Sequence, residues 1–502
     1  RTQSGKPLFA CDPHLVLTSP SPWMIAGVSA PQLDTVGLMI PALPIFGVGR
    51  NHDGAWGGTN LHATSSELID VADEPITTGV TTIDVRGGRN VERPLRESAW
   101  GPLISDAKPF HMPSDTVALH WLGHRPSDDF TPYLNLMKAA HWSDFQEAID
   151  GFSLPGLNMV WADRHGDIGK MVACRVPNRP LEAPADLLTQ KADAQAAWAQ
   201  LLSAKDLPIV HNPEAGFVIS ANEAPDNARV SISLFFAEPT RAERIATLLQ
   251  NKAPATLETL RIIQTDTHSA PAEKIATALS EVAGKLRPQS AVSAELSRWD
   301  GHYDAQSQGA LAFELVVAGL VEGLEKATGV TSVSAAWRPF TRLTEVLRAA
   351  APPVLAEHLA AALDAADAPF QKHKTWGGLH RLRLYHPLAR LPWLMGRLPS
   401  IDLPIGGSNE TVMKAMHPFT RKVHRTPFGA NARFLADLAH VDETFAALLG
   451  GQDGWPGSRT MFDLVGPWRQ GDMVRLPLSQ SARREAFPNI TTIHPHHLPK
   501  TS

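Results

Sequence analysis

The chain has 502 residues, a formal net charge of -5 and 43% hydrophobic residues. That supplies one large core or two to three ordinary ones and carries no compositional sign of disorder. Its 46 Lys plus Arg form no basic stripe and no run of 18 apolar residues occurs, which argues against nucleic acid as a partner and against a membrane-spanning helix.

From the start, Ser4-Gly5-Lys6-Pro7-Leu8-Phe9-Ala10-Cys11-Asp12-Pro13-His14-Leu15 reads as a turn, a short apolar strand over Leu8–Cys11 and a polar corner ending in one histidine. Asp12-Pro13 closes the strand, because proline cannot donate to a ladder and disfavours helix before it. Up to about residue 110, strand-like runs alternate with Gly/Pro turns, among them Trp23–Ser29, Val36–Ile40 and Thr81–Val85. Gly49–Asn60 is a glycine-rich strand–turn–strand unit.

Trp142, Phe145, Ala148 and Ile149 share one helical face, predicting a helix over His141–Phe152. Leu154–Gly169 reads as two strands around a turn, and Gly216–Pro225 as a further strand ending at Asn222. From about 240 to 370 the pattern is Ala- and Leu-rich helix, including Arg241–Gln250, Ala272–Lys285, Gln308–Thr328 and Thr341–Ala351. Glycine- and proline-punctuated segments then return, including Gly406-Gly407-Ser408 and Phe428–His440. Cys11 and Cys174 make neither a disulfide framework nor a metal knuckle. Each sits in a short apolar run and reads as a buried thiol, with a pairing between them left open. His494-Pro495-His496-His497 reads as a frayed terminus, not a metal site.

The blocks at 4–15 and 49–60, in fixed register, resemble the start of the catalytic β chain of the penicillin acylase family. The segments at 154–169 and 216–225 are similar to further family motifs, and the likeness runs over roughly residues 3–450. Composition and periodicity give only a mixture of α and β, α+β in class. The resemblance implies more: a four-layer αββα N-terminal nucleophile (Ntn) hydrolase sandwich. Its core would be formed by residues 1–240 and 371–502, with a helical insertion at 241–370.

The family hydrolyses amides with the first residue of the β chain, usually serine, whose free α-amine serves as base. The resemblance sets that serine about nine residues before Arg1, so a chain truly beginning at Arg1 would be inactive. Thr2 and Ser4 are chemically possible nucleophiles but are not terminal. His14 matches the histidine beside the nucleophile. Asn60 matches the oxyanion-hole backbone N–H, and Asn222 the oxyanion-hole side-chain amide. Arg241 matches an arginine that orients the asparagine, with Arg244 as a nearby competitor. Leu15 and Val48, with Trp23 and Met24 beside them, match the acyl pocket.

The family's calcium loop follows the oxyanion position. Here that stretch offers Thr64, Ser66 and Glu67, with Asp70 further on, and one carboxylate is poor for a hard cation. No metal and no cofactor is therefore expected. The resemblance also implies a separate α chain from the same precursor, a small N-acyl substrate, and a periplasmic or secreted location. The alternative reading is a non-catalytic homologue that binds acylated small molecules.

Overall fold

The computed structural model describes residues 1–493 apart from 108, 183–187, 251–252, 330–332, 334–337 and 395. The His494–His497 tail lies outside the described residues. Two antiparallel sheets carry the part of the chain that holds the matched motifs. A seven-stranded sheet runs, from one edge, Ile209–His211, Ile168–Ala173, Leu157–Asp163, Gly54–Asn60, Phe46–Arg50, Leu33–Met39 and Met24–Ala30. A four-stranded sheet orders Leu8–Cys11, Ala432–Asp437, Thr444–Leu448 and Val474–Arg475.

The sheets meet through one apolar cluster. Phe9, Phe434, Ala446 and Leu448 from the smaller sheet pack with Val36, Leu38, Val48 and Ala55 from the larger. Alternation of apolar residues along each strand turns these side chains to a single face. Glycine lets the sheets approach: a Cβ at Gly57 would sit 2.8 Å from Cys11 Sγ and 3.2 Å from the Phe9 ring. That close approach brings the corner after Cys11 to the strand that ends at Asn60. Behind the larger sheet, Trp142, Phe145 and Ile149 of the helix Trp142–Asp150 pack on Trp56, Met159 and Trp161.

The helical stretch has a core of its own, in which helices Ala270–Leu286, Ala291–Arg298, Gln308–Thr328, Pro339–Ala349 and Pro352–His373 share buried Leu, Val and Ala. Gln308–Thr328 starts where the Ser307 side chain accepts from the Ala310 amide and stops at left-handed Gly329, φ 71°. Both ends lie where the sequence pattern sets them. Pro352–His373, at 22 residues, is longer than any helix the pattern singles out.

One expectation fails outright. Gly216–Pro225 forms no strand. Asn222 has φ 71°, a left-handed conformation that ends any extended run, and Asn tolerates it because its short amide bonds locally. Cys11 and Cys174 are both free thiols, Cys11 half-buried and Cys174 buried, so they do not pair.

Candidate active site

Three of the four matched polar residues are joined by hydrogen bonds. The Asn222 side-chain Nδ2 donates to the Asn60 carbonyl at 2.8 Å. Arg241 Nη2 donates to Asn222 Oδ1 at 2.8 Å and also to the Ala221 carbonyl. The Ala237 N–H donates to the Asn222 carbonyl at 2.8 Å. Asn222 is thus held at both backbone and side chain, and one amide N–H remains to point elsewhere. Arg244, the competing arginine, is committed to Asp266 at 2.7 Å.

The backbone of Asn60 follows from register. Asn60 lies opposite Leu157, and the Leu61 N–H donates to the Gly156 carbonyl. Asn60 is therefore a non-hydrogen-bonded pair member, whose N–H and C=O turn away from Leu157. On that other side its neighbour strand is in register only at Gly49–Trp56 and Arg50–Ala55. The C=O takes Asn222, and the N–H faces the same side, where the neighbouring strand has peeled away.

His14 begins the short strand His14–Val16, paired antiparallel with Phe428–Ala430. Its Nε2 lies 2.9 Å from Asp12 Oδ2, the contact that Pro13 makes reachable by turning the chain. Burial pushes the imidazole pKa below its usual value; Asp12 opposes this, while Arg241 and Lys414 push it further down. In the neutral ring the Asp12 carboxylate fixes the proton on Nε2 and leaves Nδ1 as an acceptor. Arg241 is 4% exposed. Its pKa is lowered by burial against the opposing charges of Glu410, Asp12 and Glu223.

Of the apolar matches, Met24 and Val48 lie on the large sheet, Trp23 just before its edge strand, and Leu15 on the two-stranded pair that carries His14. Leu15 is exposed beside His14, opposite Gly429. Met24 pairs with Met39, Trp23 covers Gly47, and Val48 is 2% exposed within the shared core. Two polar residues escaped sequence reading. Lys414 acts on both His14 and His62, and Glu410 accepts from Thr240 at 2.9 Å. Neither falls in a motif, and only chain pairing brings them in.

The residues after Asn60 do not fit a calcium ion. Glu67 is 6% exposed, and its carboxylate is taken by Arg179 Nε and Trp198 Nε1. Arg179 Nη1 also donates to the Thr64 carbonyl at 3.1 Å, and Asp70 accepts from Thr116 and Ser114. Both carboxylates of this stretch are thus already committed to donors from the protein itself.

Asn60, Asn222 and Arg241 are thus linked by hydrogen bonds, and Arg241 and Asp12 both act on His14. The family model for penicillin amidase matches residues 1–485. The chain belongs to the penicillin amidase family. Penicillin acylase 2 proenzyme of Pseudomonas sp. strain SE83 is 26% identical over 98% of this chain and 67% of its own length. The acyl-homoserine lactone acylase QuiP of Pseudomonas fluorescens Pf0-1 is 23% identical over 95% of this chain and 64% of its own. The chain thus spans about two thirds of the length of these relatives. A thermostable penicillin G acylase from Alcaligenes faecalis has a similar fold, with TM-score 0.70 at 17% identity over 99% of this chain and 98% of that one. No helix among the described residues is long and apolar enough to cross a membrane.

Proposed function

We propose that this chain is the greater part of the β chain of an acylase that hydrolyses a linear amide in an N-acylated small molecule. A serine about nine residues before Arg1 attacks the carbonyl, and its free α-amine takes the proton. The oxyanion is met by the Asn60 backbone N–H and the spare amide N–H of Asn222, which Arg241 keeps in place. His14 accepts a hydrogen bond from the nucleophile through Nδ1. Leu15, Trp23 and Met24 flank the acyl group, with Val48 beneath them. A separate α chain from the same precursor completes the pocket, and the family resemblance suggests a periplasmic or secreted enzyme.

The observation that carries this reading is the linkage of Asn60, Asn222 and Arg241 by bonds of 2.8 Å at Asn222. A donor pair of that kind, fixed before substrate arrives, is what acyl transfer requires. The shared core of the two sheets and the helix behind the larger one support the four-layer sandwich. The separate core of the helices supports an insertion at 241–370 between the two parts of the core, 1–240 and 371–502.

The test is expression of the full-length gene, followed by N-terminal sequencing and intact mass. Expected are two chains, the larger starting at a serine upstream of Arg1, and release of free amine from N-acyl anilides. A precursor that stays uncut, or a processed protein inert towards amides, overturns the reading.

A further inference from the structure

The strand His14–Val16 pairs with Phe428–Ala430, setting His14 opposite Ala430. On the far side of Phe428–Ala430 lies the segment 414–416. Ala415 bridges Gly429, the Ala430 N–H donates to the Lys414 carbonyl at 3.0 Å, and the Met416 N–H donates to the Phe428 carbonyl at 2.8 Å. Lys414 is therefore opposite Ala430, as His14 is from the other side. Directly opposed residues in antiparallel strands point to one face, so His14, Ala430 and Lys414 form one row. The middle member carries only a methyl, so no bulky side chain of that row separates His14 from Lys414, whose backbones lie two strand spacings, ~10 Å, apart.

We propose that Lys414 is a positioning residue of this site, whose ammonium adds to burial in keeping the His14 imidazole uncharged so that Nδ1 stays a hydrogen-bond acceptor. The charged and titrating groups facing His14 are Asp12 on its own segment, Arg241 at the start of helix Thr240–Leu249, and Lys414. Those facing Lys414 are Arg241 and Glu410, with His14 and His62 receiving its field. Asp12 alone would draw a proton onto His14, and the two cations on the other elements oppose it. Burial and the nearby Arg241 lower the Lys414 pKa to about 8, so it is charged over the range in which a histidine titrates. The catalytic use of His14 rests on the acylase reading. The electrostatic coupling does not.

The experiment is an NMR titration of the His14 ring, identified by its loss in His14→Gln, in wild type, Lys414→Met and Lys414→Arg. Circular dichroism confirms the fold of each, and Lys414→Gln serves if the methionine variant does not fold. Removing the charge should raise the His14 pKa, because a nearby cation disfavours the imidazolium. Lys414→Arg should titrate as wild type does. An unmoved His14 in the neutral variants, or an equal shift in Lys414→Arg, overturns the proposal. In the processed full-length protein the acid limb of kcat/KM should move up with Lys414→Met. A shifted titration in a protein inert towards amides would instead remove the acylase reading and leave the coupling standing.

Discussion

Arg241 and Asn222, 19 residues apart in the chain, share a 2.8 Å hydrogen bond from guanidinium to side-chain oxygen. The same Arg241 nitrogen also binds the carbonyl of Ala221. This bond fixes which end of the Asn222 amide is nitrogen, because a guanidinium has only donors to offer. The nitrogen is thereby turned to the Asn60 carbonyl. The orientation of the proposed oxyanion donor is thus decided one residue further out, by a buried cation.

Asn222→Ala in the full-length enzyme should lower turnover by about 10²–10³ with the fold retained. Alanine is strained at φ 71°, so Asn222→Gly separates causes: it removes the amide and tolerates the backbone. Both variants should lose turnover to the same extent by steady-state kinetics. Unchanged activity in either removes Asn222 from the site.

The Arg179–Glu67 pair predicts independence from calcium. Chelation with EDTA should leave the melting temperature where it is. Arg179→Met strands a carboxylate that is 6% exposed and should cost about 3–5 kcal/mol in urea denaturation. Glu67→Gln in the Arg179→Met background should recover part of that loss. A melting temperature that falls with EDTA and returns with calcium would show that an ion, not the guanidinium, ties this loop.

Glu314 predicts a pH dependence of stability. It sits 2% exposed in helix Gln308–Thr328, accepts from the Tyr303 hydroxyl at 2.6 Å and lies 3.7 Å from His417 Nδ1. Burial raises its pKa from 4.5 to about 8. Between those values the folded chain keeps a proton that the unfolded chain releases, so this contribution is full below 4.5 and is lost as pH rises through about 8. His417 acts on the other side: burial lowers its pKa from 6.5 to about 3, so stability falls as pH drops through that window. Glu314→Gln copies the protonated acid. It should match wild type at low pH and exceed it in urea denaturation at pH above about 8. Parallel stability curves for the two proteins would show that Glu314 does not titrate within this range.

Local chemistry is legible in the sequence. The strand Leu8–Cys11 ends at Asp12-Pro13 where proline chemistry ends it, and the helix Gln308–Thr328 has the bounds its periodicity gives. Resemblance to family motifs singles out His14, Asn60, Asn222 and Arg241, but gives none of their contacts; the structure joins the last three by hydrogen bonds. Gly216–Pro225 reads as a strand because its apolar run Phe217-Val218-Ile219 has strand composition. Strand formation needs a partner ladder, and here side chains take backbone groups instead: Lys170 donates to the Ile219 carbonyl, Arg241 to the Ala221 carbonyl, and the Ala221 N–H donates to Glu223.

The sequence by itself determined the family motifs and the mixed α and β composition. Periodicity and turn chemistry act over a few residues, so they survive reading one residue at a time. The tertiary structure alone decided that Arg241 rather than Arg244 holds Asn222, that Arg179 from 112 residues away neutralises Glu67, and that Lys414 stands in line with His14. Those relations depend on strand register and on which buried charges must be compensated. Both are properties of chain segments meeting, which no single segment encodes.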